Sequence, residues 1–360
     1  MSNDALVKKE LINSVLDNIE FNKIIVEYYR RLLEEHRVQG SLYYQTLINK
    51  IRSIKLCNKF WVLDKYELQK VKDLKSQNLC HDKFCSNCKK VKQAGRMAKY
   101  IPELQRYDGN LYHLVLTTPN CSGQDLKENI KKVNRAFRQL IRYLRGTIKI
   151  KGIDFSSWGY RGAVRSLEVS YNDVNYHPHL HVGIILDQNL LSKKNVENIY
   201  SFDFRKGFPE LTRLFSEEEI LIQKIWRLLI DGEKVTLKNV SKLEVGYSCI
   251  LDKFQEGDYN ELFKYLTKGY SQGNGILSYE QFKTLYEALY RLKQIQGYGR
   301  LYRIDDNLDI EEFDRIYNEF IESLKEKENP AEVLERPQEI LEDNDYKLIS
   351  RKSYFNYLRE

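Results

Sequence analysis

Tyr176-His177-Pro178-His179-Leu180-His181-Val182-Gly183-Ile184-Ile185-Leu186 decides how this chain is read, because three of its six histidines fall here at alternate positions. From Leu180 to Leu186 the residues are apolar and rich in β-branched types, which predicts a buried strand entered through a proline edge. Alternate side chains on a strand share a face, so His177, His179 and His181 point the same way. Neutral imidazoles side by side on one face are a ready set of ligands for a divalent ion. The plainer alternative is a strand edge that happens to carry polar residues. Alternation feeding straight into a buried strand favours the metal.

Outward from this stretch, Ala163 to Tyr171 (AVRSLEVSY) reads as a strand, and Asn172-Asp173 as a turn leading back to the histidines. The two strands are expected to pair antiparallel, which brings Glu168 beside His179 and His181 as a third, carboxylate ligand. Gly183 interrupts the aliphatic run and is read as a bulge. Further upstream, Leu111 to Thr118 (LYHLVLTT) is another strand, closed by Pro119-Asn120. A helix then runs from a start at Ser122 and Asp125 to a stop at Gly146. Its apolar stripe is Leu126, Ile130, Val133, Phe137, Leu140 and Leu144. Lys131, Arg135, Arg138, Arg142 and Arg145 form a basic stripe on another face. Such a face is usually only solvated, but the lack of interleaved acids allows phosphate contact as a second reading.

Downstream, Ser216-x-x-Glu219 is a capping box opening a core helix that ends at Gly232. Asp258 opens a further helix on which Glu261, Tyr265 and Lys268 share one face, before Gly269 ends it. Glu261 has a structural alternative, as the far half of a capping box with Asp258. Tyrosine is a weak nucleophile at its free pKa of about 10 and needs a cation or a base to react. Lys268, one turn beyond Tyr265, can supply the cation, and Glu261, one turn before it, a base for another step.

Cys57, Cys80, Cys85 and Cys88 are four of the six cysteines, and the last three are spaced Cys-x4-Cys-x2-Cys. Two thiolates two residues apart can chelate one ion from a tight turn, and four close a tetrahedral sulfur site with no position left for substrate. Structural zinc is expected there, with His81 as a substitute ligand. The alternative, buried unpaired cysteines, fits poorly with the lysine-rich surroundings. Lys89, Lys90, Lys92, Arg96 and Lys99 follow at once and flank the element with positive charge.

Net charge is +7, and the basic residues concentrate in the middle of the chain while Asp305 to Asp345 is acidic. There is no long uncharged apolar run and no basic-then-apolar leader, so an intracellular, cytoplasmic protein without a membrane span is expected. In that compartment cysteines are thiols or metal ligands more often than disulfides. Four segments are expected: N-terminal helices over 1–52, a zinc-binding basic element over 53–104, a catalytic domain over 105–304 and an acidic helical tail over 305–360. The first shows apolar residues at helical spacing, such as Leu11, Val15 and Ile19, then Ile25, Tyr29 and Leu32.

Taken together these motifs resemble a family. His177-Pro178-His179-Leu180-His181-Val182 resembles the His-hydrophobe-His motif of the HUH endonucleases. Tyr265-Leu266-Thr267-Lys268 is similar to their Tyr-x-x-Lys motif, and Leu114-Val115-Leu116-Thr117-Thr118 to their first motif. The likeness is closest to the rolling-circle replication initiators of small bacterial plasmids, where a four-cysteine segment before the first motif and a Glu one turn before the Tyr are also characteristic.

The resemblance implies an α+β fold, an antiparallel sheet-centred nuclease domain flanked by helices. It implies nicking of one DNA strand by Tyr265, which leaves a 5′-phosphotyrosine and a 3′-OH primer. His179 and His181 would hold Mg²⁺ or Mn²⁺, His177 would be a ligand or its support, and Glu261 would activate water to end a round. The partner implied is single-stranded DNA or a cruciform in a supercoiled origin, with host helicase and polymerase downstream. A transposase or relaxase of the same class, or a zinc-containing DNA-binding regulator without catalysis, are the rival functions.

Overall fold

The computed structural model describes residues 21–36, 42–57, 60–61, 80–85, 88–89, 96, 100–171, 175–187, 190, 199–201, 212–244, 246–255, 257–263, 277–302 and 347–348. Leu11, Val15 and Ile19, the Asn172-Asp173 turn, Tyr265, Lys268 and nearly all of the acidic tail lie outside the described residues. The described residues divide into two units, one on either side of Tyr100 in sequence, with Lys347–Leu348 grouped with the first.

In the first unit, helix α1 (21–35) and helix α2 (Leu42–Leu56) carry apolar residues at three-, four- and seven-residue spacing. Ile25, Tyr29, Leu32, Leu47 and Ile54 are accordingly buried. Asp82 ties the following loop to both helices. Its buried carboxylate accepts from the Tyr29 hydroxyl at 2.9 Å and from the Phe84 N–H at 2.8 Å, and pairs with the Lys50 ammonium. Burying a carboxylate this deeply is costly unless it is paired and hydrogen-bonded, as it is here.

The second unit is built on a five-stranded antiparallel sheet. Its strands are β1 (Leu111–Thr117), β2 (Gly162–Tyr171), β3 (Tyr176–Ile185), β4 (Cys249–Lys253) and β5 (Ile295–Gly299), in the spatial order β4-β1-β3-β2-β5. With its helices this is an α+β fold. Among its helices are α3 (Leu126–Leu144), α4 (Glu217–Asp231), α5 (Leu237–Lys242), α6 (Asp258–Phe263) and α7 (Tyr279–Leu289).

The histidine strand β3 is therefore the middle of the sheet, and it begins at Tyr176 rather than at Leu180. Pro178 is tolerated inside it for a positional reason. Strand β1 ends opposite His179, so Pro178 pairs only with Val169 of β2, and there β3 is an edge.

Strand periodicity separates two faces. Leu114, Leu116, Leu167, Leu180 and Val182 are fully buried on one. Helix α3 packs on this face, with Phe137 edge-on to Tyr298 of β5 at 5.2 Å, and touches α4 and α7. Helix α3 starts after Asp125, whose carboxylate accepts from the Ser122 hydroxyl at 2.7 Å, and gives way to Gly146 in the left-handed region at φ 68°. The capping box that opens α4 forms as the spacing predicts, between Ser216 and Glu219. The second oxygen of Glu219 accepts the Leu251 N–H at 2.8 Å, which ties α4 to β4.

The other face carries His113, Thr117, Glu168, His179 and His181, brought level by the register Thr117↔His179↔Glu168 and Val115↔His181↔Ser166. Helix α6 approaches it. The register runs unbroken through Gly183, opposite His113 and Val164, so the expected bulge is absent. The glycine instead makes room: a Cβ there would stand 3.2 Å from Leu262 of α6 and 3.4 Å from Val164. No helix among the described residues is long and apolar enough to cross a membrane.

Candidate metal centres

On the second face Glu168, His179 and His181 converge, one ligand atom from each lying within 4.8 Å of the other two, all three side chains buried. The Glu168 Oε2 is 3.2 Å from His179 Nε2 and 3.1 Å from His181 Nε2. Both rings turn the same nitrogen toward one carboxylate oxygen, and each engages its Nδ1 elsewhere. His179 Nδ1 lies 3.1 Å from the His177 carbonyl oxygen, an acceptor only, so Nδ1 donates there while Nε2 faces Glu168. Two imidazole Nε2 atoms and a carboxylate on one point make a 2-His-1-carboxylate set that fits a divalent cation and leaves positions open to a substrate oxygen.

His177 is not brought into this group. Its ring stacks on that of His179 at 5.3 Å, and its carbonyl oxygen lies 3.1 Å from His179 Nδ1. Burial, and after it the neighbouring His179, push its pKa below the usual imidazole range.

His113, which sequence reasoning passed over, and Asp258, which it read only as a helix start, complete the surroundings. His113 of β1 places Nε2 3.2 Å from His181 Nδ1 and Nδ1 2.9 Å from the Asp258 carboxylate. Burial lowers its pKa, and the charge of Asp258 works against that shift, with a smaller contribution from Glu261. The only local sign of His113 was one polar residue inside the apolar strand LYHLVLT. Asp258 is already the first helical residue of α6, and its other oxygen accepts the Gln255 N–H at 2.7 Å. The capping-box reading of Asp258 and Glu261 is thereby corrected, since a capping residue precedes the helix and turns its side chain onto the third N–H.

The basic residues Lys131, Arg135, Arg138 and Arg142 are all exposed on α3, the helix packed on the opposite face of the sheet from this cluster. Lys131 is partly engaged, pairing with Glu128 at 2.6 Å. The structure does not bring the stripe and the Glu168 cluster together.

In the first unit the sulfurs of Cys57, Cys80, Cys85 and Cys88 form a second cluster. Cys57 lies 3.6 Å from Cys85 and 3.7 Å from Cys88, and Cys80 lies 3.5 Å from Cys88. A disulfide needs about 2.05 Å. A sulfur tetrahedron with metal bonds of about 2.3 Å has edges of about 3.8 Å, which matches. His81, at φ 51°, turns the chain after Cys80 but is itself exposed and outside the cluster. Lys89 folds its ammonium over the rings of Phe21 and Phe84, and burial lowers its pKa to about 8, opposed by the charges of Cys85 and Asp82. It packs within its unit and is not part of an open basic surface.

The family model for "Replication protein" matches residues 71–344 of this chain. A Protein rep of Staphylococcus aureus is 30% identical over 187 residues, 49% of this chain and 75% of the relative. A Protein rep of Lentilactobacillus hilgardii is 23% identical over 237 residues, 63% and 71% of the two chains. One of Lactiplantibacillus plantarum is 22% identical over 287 residues, 77% and 79%. No solved structure matches it.

Proposed function

This chain belongs to the replication protein family, and from that footing we propose that it initiates rolling-circle plasmid replication by nicking one strand of the origin with Tyr265. The observation that carries the reading is the convergence of Glu168, His179 and His181 on one point of the central sheet. A divalent ion held there supplies a Lewis acid to the scissile phosphate. Two imidazoles in the donor set favour Mn²⁺ over Mg²⁺, which prefers oxygen ligands.

In the proposed reaction the Tyr265 oxygen forms a bond to phosphorus as the bond to the 3′ oxygen breaks. The phenol proton is released, and the 3′ oxygen leaves as a hydroxyl that primes synthesis. Lys268 steadies the phenolate as it forms. Glu261 later takes a proton from water, which displaces the tyrosine and ends the round.

The test is incubation with negatively supercoiled plasmid carrying the replicon's own origin and Mn²⁺. The expected product is a nicked circle with protein linked to the 5′ end. Nicks without attached protein would replace the tyrosine reading by simple hydrolysis, and binding without nicks would leave a non-catalytic regulator. Nicks confined to a transfer origin or a transposon end would move the chain to the relaxases or transposases.

The basic stripe on α3 is proposed to grip DNA phosphates away from the nick, since the sheet lies between it and the Glu168 cluster. Changing Lys131, Arg135, Arg138 and Arg142 to Gln should flatten the salt dependence of origin-duplex binding, by about 1 in log–log slope for each phosphate no longer gripped. Cleavage of a short single-stranded substrate should be unchanged. An unaltered slope assigns the stripe to solvent.

The four-cysteine cluster is proposed to hold structural zinc. Elemental analysis should give about one zinc per chain. The Cys85→Ser, Cys88→Ser variant should lose it together with the stability of the first unit, because binding energy at such a site is folding energy. Retained zinc in that variant would rule the cluster out.

A further inference from the structure

We propose that Asn22 is a positioning residue of the four-cysteine metal site, its side-chain amide donating to the Cys85 sulfur and so making helix α1 part of the metal's surroundings. The proposal rests on the reading of that cluster as a metal site. Asn22 Nδ2 stands 3.4 Å from Cys85 Sγ across 63 residues of sequence. That separation suits a bond to sulfur, which is larger than oxygen and takes its hydrogen bonds at longer range.

The chemistry of the donor set calls for such a bond. Four thiolates outweigh one divalent ion, so the loaded cluster carries net negative charge, and Cys57, Cys85 and Cys88 are buried with it. Charge taken out of water is costly unless donors or cations meet it. Cys85 is the most buried of the four, at 0% exposure, and lies out of reach of bulk water. An amide N–H can serve there, and a bond to an ionised acceptor is roughly twice as strong as one between neutral groups. Lys89 brings a cation to the same place, its ammonium lying over the rings of Phe21 and Phe84, the neighbours in sequence of Asn22 and Cys85.

The helix is placed to hold this bond. Asn22, Ile25, Val26 and Tyr29 repeat at three-, four- and seven-residue spacing on one face of α1, and all four are buried. The loop that carries Cys85 meets both ends of that face. Cys85 takes the Asn22 amide, and three residues earlier Asp82 accepts the Tyr29 hydroxyl at 2.9 Å. Asp82 also accepts the Phe84 N–H at 2.8 Å and pairs with Lys50 of α2, so bonds to two helices fix the loop under the sulfur. Packing alone asks only for an apolar residue at position 22. An amide aimed at a sulfur is what a charged sulfur requires.

The experiment uses the full chain and two variants. Asn22→Leu keeps the volume and removes the donor. Asn22→Asp keeps the shape and sets a carboxylate against the sulfurs. Co²⁺ loaded in place of zinc should give the sulfur-to-metal charge-transfer bands of a tetrahedral thiolate site. In Asn22→Leu these bands should move to longer wavelength, because a thiolate that has lost a hydrogen bond gives up its electrons more easily. Competition with a chromophoric chelator should show zinc held about 10-fold more weakly in Asn22→Leu and about 100-fold more weakly in Asn22→Asp, the range typical of lost outer support.

Unchanged bands and affinity in Asn22→Leu overturn the proposal, since leucine replaces a residue that only packs without touching the spectrum. Wild-type affinity in Asn22→Asp overturns it too. Wild type also supplies a reading that needs no variant to fold. With ¹¹³Cd in the site and ¹⁵N-labelled asparagine, a scalar correlation should connect an Asn22 side-chain amide proton to the metal through the Cys85 sulfur, and its absence overturns the bond. Failure of the metal reading looks different: wild type would then take up no Zn²⁺, Co²⁺ or Cd²⁺ at all.

Discussion

A Tyr265→Phe variant should bind origin DNA as wild type does and leave the supercoiled substrate closed, with nicking reduced by at least ~10⁴-fold and no covalent adduct. Only a hydroxyl is removed, so packing is conserved and no loss of thermal midpoint is expected. The effect is large because a phosphodiester exchange conserves the bond only when a protein oxygen takes the place of the leaving 3′ oxygen. Water could break the strand, but it would not store the bond for later rejoining.

Glu261→Ala is the informative contrast. The Asp258 carboxylate is occupied by the Gln255 N–H and by His113, so no capping box is removed. The midpoint should therefore fall by less than the ~1 kcal/mol a cap is worth, while nicking proceeds and the adduct persists. Gel analysis of adduct lifetime beside a thermal melt reads both. A variant that nicks, releases and reseals like wild type would remove Glu261 from the mechanism.

The second large effect is expected from His179→Ala, His181→Ala. Nicking in Mn²⁺ should drop about 10³-fold, corresponding to roughly 4 kcal/mol of transition-state stabilisation. Binding to origin duplex should survive, since the exposed basic residues of α3 lie on the other face of the sheet. Isothermal titration should show the Mn²⁺ site gone from the same protein. Glu168→Ala should lose less, because two imidazoles and water still hold an ion. Undiminished nicking by the double variant would remove this cluster from the chemistry.

What the amino-acid sequence determined by itself was whatever depends on a few neighbouring residues. The alternation His177, His179, His181 placed the imidazoles on one face. Asp125 and Gly146 bracketed the helix Leu126–Leu144, and Ser216 with Glu219 opened the next one. The Cys-x4-Cys-x2-Cys spacing found three of the four converging sulfurs. Glu168 was reachable because only a few residues of sequence separate its strand from the histidines, so the pairing could be counted residue by residue.

Only the tertiary structure decided what depends on register between distant segments. His113 gave no local sign of meeting His181, and Asp258 looked like a helix cap until β1 brought His113 beneath it. Gly183 looked like a bulge until Leu262 was seen to need the space. His177 shares the histidine face but lies one step beyond the convergence point. The basic helix could not be assigned to either side of the sheet. The physical reason is common to all of these: a one-residue slip in strand pairing turns every side chain to the opposite face, and the free energy that selects the register comes from burial across the whole sheet. A reading confined to neighbours along the chain cannot see that selection, whereas the folded sheet records it.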